Sequence, residues 1–130
     1  MARIICIGEA MKRYMSKTGK QSIGGAELNV AVALSSLGWK TTWLSVLPKN
    51  DEGMIAAISQ TGVESVIIRN DGEVGKYTVI EDEQRVQYQR DDSAFALMDP
   101  DAINIRTFMQ GDEWVHITGI TPFLGQGPRA

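Results

Sequence analysis

Gly24-Gly25-Ala26-Glu27-Leu28-Asn29-Val30-Ala31-Val32-Ala33-Leu34-Ser35-Ser36-Leu37-Gly38 reads as a glycine break, a helix and a stop. Ala and Leu carry the helix propensity, and Gly38 is the terminating glycine. Apolar residues fall on nearly every face, which predicts a buried helix. Upstream, residues 3–7 form a short, continuous, β-branched run ended by Gly8, as expected of a strand buried on both faces. Downstream, residues 41–47 read as a second strand and Pro48-Lys49-Asn50-Asp51 as a turn. Asp51 is placed to cap a helix from Glu52 to about Gln60, and residues 63–68 follow as a third strand. Strand, helix, strand, helix, strand predicts βαβ units and a parallel sheet.

Beyond Asn70-Asp71-Gly72 the pattern changes. Residues 75–82 and 85–90 are two short segments in which Tyr77, Val79, Val86 and Tyr88 alternate with polar residues. That alternation predicts an antiparallel hairpin with one wet face, a flap outside the main sheet. Residues 10–23, polar and basic, allow an exposed strand or a loop and are assigned to the same flap. Asp99-Pro100 starts a short helix. Residues 113–120, through Trp114, Val115, His116 and Ile117, predict a return to a buried strand. In an α/β sheet such a strand normally feeds a crossover helix, so the 130 residues are expected to be part of one domain rather than all of it.

A chain that is 43% hydrophobic and 22% charged has the composition of an ordinary globular domain. Its net charge of -3, with no dense Lys/Arg block, gives no electrostatic footprint for nucleic acid. No segment approaches the length of a membrane span, and the N-terminus lacks a signal peptide's longer apolar region and cleavage site. The single cysteine, Cys6, excludes a disulfide framework within the chain and favours a reducing compartment, so the cytoplasm is expected. Within its apolar run Cys6 reads as a small buried hydrophobe rather than a reactive thiol.

Two stretches carry candidate binding chemistry. Paired glycines before a helix let a ligand approach the backbone and leave the first helical N–H groups free for an acceptor. Asn29, one turn in, both donates and accepts. The alternative is a plain glycine turn with Asn29 bonded to a neighbouring loop. In Tyr88-Gln89-Arg90, alternation puts Tyr88 and Arg90 on one face, with Tyr77 on the partner strand. Arg is the natural fork for a carboxylate or phosphate, and Tyr adds a hydroxyl and a flat apolar wall. The alternative is a solvated flap with surface aromatics. Gly72-Glu73-Val74-Gly75-Lys76-Tyr77 fails as a phosphate loop, because its leading glycine is missing and a strand follows. One His and one Cys build no metal cluster, so His116 reads as structural. Asp91-Asp92 reads as a solvated turn, and Trp39, Trp43 and Trp114 as core or rim packing.

Taken together, the residues from Gly24-Gly25 to Leu37-Gly38 resemble the first signature of the ribokinase-like, phosphofructokinase-B-type carbohydrate kinases. Gly75-Lys76-Tyr77, Tyr88-Gln89-Arg90-Asp91-Asp92-Ser93-Ala94 and His116-Ile117-Thr118-Gly119-Ile120-Thr121-Pro122 bring the likeness nearest to 2-keto-3-deoxygluconate kinases. The resemblance implies an α/β fold: a Rossmann-like, mostly parallel sheet, incomplete here, with a small antiparallel β flap over a sugar. Residues 1–130 would be the N-terminal, substrate-side portion of a single kinase domain, with the flap at about 10–23 and 75–91. Gly24, Gly25 and Asn29 would lie at the sugar, and Tyr77, Tyr88 and Arg90 would reach it from the flap, Arg90 near the substrate carboxylate. ATP and Mg2+ are implied for the complete enzyme. The family's second signature, a glycine-rich turn ending in the catalytic aspartate, has no match here, so no catalytic or metal-binding residue is assigned. The chain alone is expected to be inactive or nearly so, and to hold neither cofactor tightly.

The resemblance thus implies ATP-dependent phosphorylation of a sugar-acid hydroxyl, with a small-molecule sugar acid as partner. Two other expectations stand beside it. The chain is a non-catalytic binding module that dimerises through its flap or an exposed sheet, or the sugar is neutral, of the fructose or ribose type. No nucleic-acid or membrane partner is expected.

Overall fold

The computed structural model describes residues 2–130. Its first sheet grows from the apolar runs picked out above. Strands β1 (Ile4–Ile7), β4 (Thr41–Pro48), β5 (Glu64–Asn70) and β8 (Trp114–His116) lie in the order β5-β4-β1-β8, every pair parallel. Helices α1 (Ala26–Ser36) and α2 (Glu52–Gln60) supply the crossovers between them. Asp51 caps α2 by accepting the Met54 N–H at 2.9 Å, which satisfies one of the free donors at the helix start.

Period-two alternation along β4 divides the core between the two faces of this sheet. Trp43 and Leu47 join Cys6, Leu28, Ala31, Met54 and Ile58 on the helical side. Val46 joins Ala94 and Phe95 on the other. There, a short buried segment, Ser93-Ala94-Phe95-Ala96, packs on the sheet in place of a helix. It is tied down by Asn70, whose Nδ2 donates to the Ala94 carbonyl at 2.8 Å. Each large side chain so buried contributes about 1.5–3 kcal/mol.

The second sheet has the order β3-β2-β6-β7, built from β2 (Met11–Met15), β3 (Gln21–Gly24), β6 (Gly75–Ile80) and β7 (Arg85–Gln89). The β6–β7 hairpin is antiparallel, with Tyr77 opposite Tyr88 and Val79 opposite Val86. Residues 10–23 resolve into strands rather than a loop. β2 pairs antiparallel with β3 but parallel with β6, so this sheet is mixed rather than purely antiparallel. The reason is topological: β2 leaves the end of β1 and β6 follows β5, so both climb away from the parallel sheet in the same direction.

Two burial expectations are corrected. Helix α1 buries only Glu27, Leu28 and Ala31; its opposite face, with Ala33 and Ser36, meets solvent. Its apolar residues are mostly Ala and Val, so the sequence pattern does not distinguish the two faces. The strand expected at 113–120 shrinks to Trp114–His116, and it is not buried. Trp114 is 74% exposed, and Val115, Ile117 and Phe123 are also exposed. β8 pairs with β1 on one side only and is the edge of the sheet. Of the three tryptophans Trp43 alone is fully buried. Among the described residues no helix is long and apolar enough to cross a membrane.

Candidate functional site

The two sheets meet where β1 ends and the chain crosses into β2. Gly8-Glu9-Ala10 runs through this junction, and α1 starts beside it. Gly25, the N-cap of α1, has φ 152 and ψ 131, a conformation that L side chains rarely adopt. A Cβ there would also collide with the Glu9 carbonyl. Gly25 therefore brings the helix start directly against the β1–β2 junction. Gly24 serves differently. A Cβ at that position would collide with the Tyr77 hydroxyl and lie 3.2 Å from its Cζ. Gly24 is thus the seat on which the Tyr77 ring rests, and it does not itself line the cavity described next.

Gly25, Asn29, Tyr77, Tyr88 and Arg90 line a single cavity of about 620 Å³. Five of the six candidate residues read from the sequence are therefore brought together, with Gly24 behind one of them. Tyr77 and Tyr88 have ring centroids 5.8 Å apart at 34°, forming one aromatic wall. The Arg90 guanidinium lies over Tyr88, its Cζ 5.2 Å from the ring centroid, in cation–π range. Asn29 is exposed toward this space rather than buried in the helix face. Tyr88 is at the same time 55% exposed on a strand that faces solvent throughout, as the alternative of a solvated flap with surface aromatics has it. Asp91, also exposed, sits at the rim.

Two carboxylates that the sequence reading left without a role complete the site. Glu9 is 3% exposed, and its Oε1 accepts from Arg90 Nε at 3.0 Å and Nη2 at 2.8 Å. Arg90 thus already holds a carboxylate, one belonging to the protein. The signal was available: a charge placed at once after a buried strand, at the carboxyl end of a parallel sheet where α/β folds bind ligands. Glu27, 2% exposed, sits in the first turn of α1. Its Oε1 accepts from the Thr118 N–H at 3.2 Å, Thr118 Oγ1 at 2.6 Å and Thr121 Oγ1 at 2.7 Å. These bonds fasten the segment after β8 across the helix start, and Ile120 and Thr121 form a further wall of the cavity. A negative side chain at a helix N-terminus is also favoured by the helix dipole.

Cys6 and His116 are not among the residues lining this cavity. Cys6 is fully buried, and burial together with nearby Glu27 pushes its thiol up to about 11, far from a reactive thiolate. His116 lies on β8 with a buried Nε2 that has no partner among the described residues. Among the described residues no three His, Cys, Asp or Glu side chains gather to hold a metal ion.

The pfkB family carbohydrate kinase pattern matches residues 1–125. The chain is 29% identical over 141 residues to a 2-dehydro-3-deoxygalactonokinase of Haloferax volcanii, covering 96% of this chain and 44% of that protein. It is 31% identical over 137 residues to a 2-dehydro-3-deoxygluconokinase of Bacillus subtilis, covering 92% and 42% respectively. The crystal structure of a 2-dehydro-3-deoxygluconokinase from Thermotoga maritima superposes with a TM-score of 0.84 at 27% identity, over 96% of this chain and 43% of that one. The chain therefore spans less than half the length of the curated relatives it matches.

Proposed function

Because the chain belongs to the pfkB family of carbohydrate kinases, we propose that it forms the substrate-side wall of a sugar-acid kinase, whose ligand is a 2-keto-3-deoxy sugar acid. The observation that carries this is the convergence of Gly25, Asn29, Tyr77, Tyr88 and Arg90 on one cavity. Its volume of about 620 Å³ falls within the roughly 300–1,000 Å³ typical of small-ligand pockets. Asn29 and the N–H groups at the start of α1 read hydroxyls. Tyr77 and Tyr88 hold the carbon chain and offer phenolic hydroxyls. Arg90 keeps N–H groups beyond the two given to Glu9, because a guanidinium has five, and these meet the ligand carboxylate. Gly24 contributes by seating Tyr77.

In the whole enzyme, on this reading, a ligand hydroxyl takes the γ-phosphoryl group of ATP with Mg2+ present. Among the residues described here no three His, Cys, Asp or Glu side chains gather to hold a metal ion, and none is assigned to the nucleotide. Their part is to bind and orient the acceptor. Positioning of this kind is a large part of phosphoryl-transfer catalysis.

One observation favours a neutral sugar instead: Arg90 is already paired with Glu9. Another favours a self-associating module: Trp114, Val115, Ile117 and Phe123 are exposed around an unpaired strand edge. Calorimetric titration with 2-keto-3-deoxygluconate, fructose and ribose separates the first two readings. The sugar acid is expected to bind at least tenfold more tightly than either neutral sugar; equal affinities would favour the neutral ligand. Light scattering at micromolar concentration addresses the third, where a clean monomer would count against self-association.

A further inference from the structure

Glu9 is a puzzle for a site that binds an anion. It is a buried carboxylate on the wall of the cavity, and by charge alone it repels a sugar acid. Its contacts suggest why it is there. Both bonds from Arg90 end on Oε1, and both come from the Nε/Nη2 edge of the guanidinium. Tyr88 lies against the guanidinium at 5.2 Å. One edge and one face of a planar group are thus fixed, which leaves the Nη1 side for the cavity that Arg90 lines. The fold makes room for this. Lys76 pairs with Gln89 across the hairpin, so Gly75 stands beside Arg90. A Cβ on Gly75 would lie 2.6 Å from Glu9 Oε2. Glu9 and Arg90 are 81 residues apart, so the pair also locks the hairpin sheet to the end of β1.

We infer that Glu9 is a positioning residue for the ligand carboxylate: it takes one edge of Arg90 and so presents the remaining N–H fork to the acid. This rests on the sugar-acid reading above and adds the residue that sets its specificity. Positioning and charge repulsion have opposite signs at Glu9. Removing the charge strengthens anion binding if repulsion dominates, and weakens it if orientation does.

The test is calorimetric titration of the wild-type chain, Glu9→Gln, Arg90→Ala and the double variant with 2-keto-3-deoxygluconate and its neutral carboxamide. Glu9→Gln is expected to weaken the acid about tenfold and leave the carboxamide within about twofold. In the Arg90→Ala background it should weaken the acid no further. Gly75→Ala, which displaces the Glu9 carboxylate without changing charge, is expected to act like Glu9→Gln. Tighter or unchanged binding of the acid by Glu9→Gln overturns the inference, and equal loss of both ligands overturns it as well, marking a merely structural role. If wild type binds neither ligand, the sugar-acid reading itself fails. The Arg90 Nε–H resonance of the ligand-free protein then decides the positioning. Slow solvent exchange in wild type that is lost in Glu9→Gln supports it, and equal exchange in both refutes it.

Discussion

Thr121 donates its hydroxyl to Glu27 at 2.7 Å across 94 residues of sequence, joining the segment after the last strand to the first turn of α1. Thr118 adds two more bonds to the same carboxylate oxygen. Hydrogen bonds to a charged, buried acceptor are worth about 1.5–3 kcal/mol. Glu27→Gln is therefore expected to destabilise the fold by about 2 kcal/mol in urea unfolding, and Thr121→Val by about 1.5 kcal/mol. In the double variant the two losses should not fully add, because both substitutions act on the Glu27–Thr121 bond. A Glu27→Gln protein as stable as wild type would show that the segment is held by other contacts.

The seat of Tyr77 predicts a different kind of failure. Gly24 is the last residue of β3, and a Cβ there would meet the Tyr77 ring. Gly24→Ala is expected to cost about 1–3 kcal/mol by overpacking. Adding Tyr77→Phe should recover part of that loss, since the hydroxyl makes the nearest approach. Thermal unfolding of the single and double variants measures both. If Tyr77→Phe makes Gly24→Ala worse, the contact is not the cause.

Glu113 predicts a pH dependence. The backbone N–H of Gln110 at 2.5 Å bonds to this carboxylate, and outweighs its desolvation together with the Gly111 N–H at 2.9 Å and Arg3 at 3.2 Å. Its pKa falls from 4.5 to about 2. A carboxyl group whose pKa is depressed on folding stabilises fully above its unfolded pKa. That stability is lost as pH falls from 4.5 through about 2. The urea midpoint of wild type should exceed that of Glu113→Gln at pH 6, with the gap closing over this acid window. A gap that stays constant down to pH 2 would contradict the assignment. The effect bears on the site because Glu113 and Arg3 fix the start of β8, whose following segment reaches Glu27.

The fold was legible wherever one residue's chemistry is local. The β-branched run at Ile4-Ile5, the Asp51 cap and the glycines before α1 each act within a few positions, and each element forms where expected. That Tyr77 and Tyr88 lie on partner strands was legible because a hairpin joins its strands through its own turn; their direct pairing is seen only in the structure. What sequence did not reveal is long-range. The Glu9–Arg90 and Glu27–Thr121 pairs each join residues more than eighty positions apart, so even where the position of Glu9 after a buried strand marks it out, its partner is not legible. The parallel pairing of β2 with β6 depends on where two crossovers deliver their strands, which periodicity does not encode. Nor does it separate an edge strand from a central one: Trp114 and Val115 look like core and stand in solvent.

The central claim is that the α1 start and the tyrosine–arginine hairpin form one binding surface for a sugar acid. Backbone NMR titration of the 15N-labelled chain with 2-keto-3-deoxygluconate tests it most directly. The account predicts saturable shifts at Gly25, Asn29, Tyr77, Tyr88 and Arg90 that share a single dissociation constant. No saturable response, or shifts centred on the separate cleft of Lys12, Lys49 and Lys76, would contradict it.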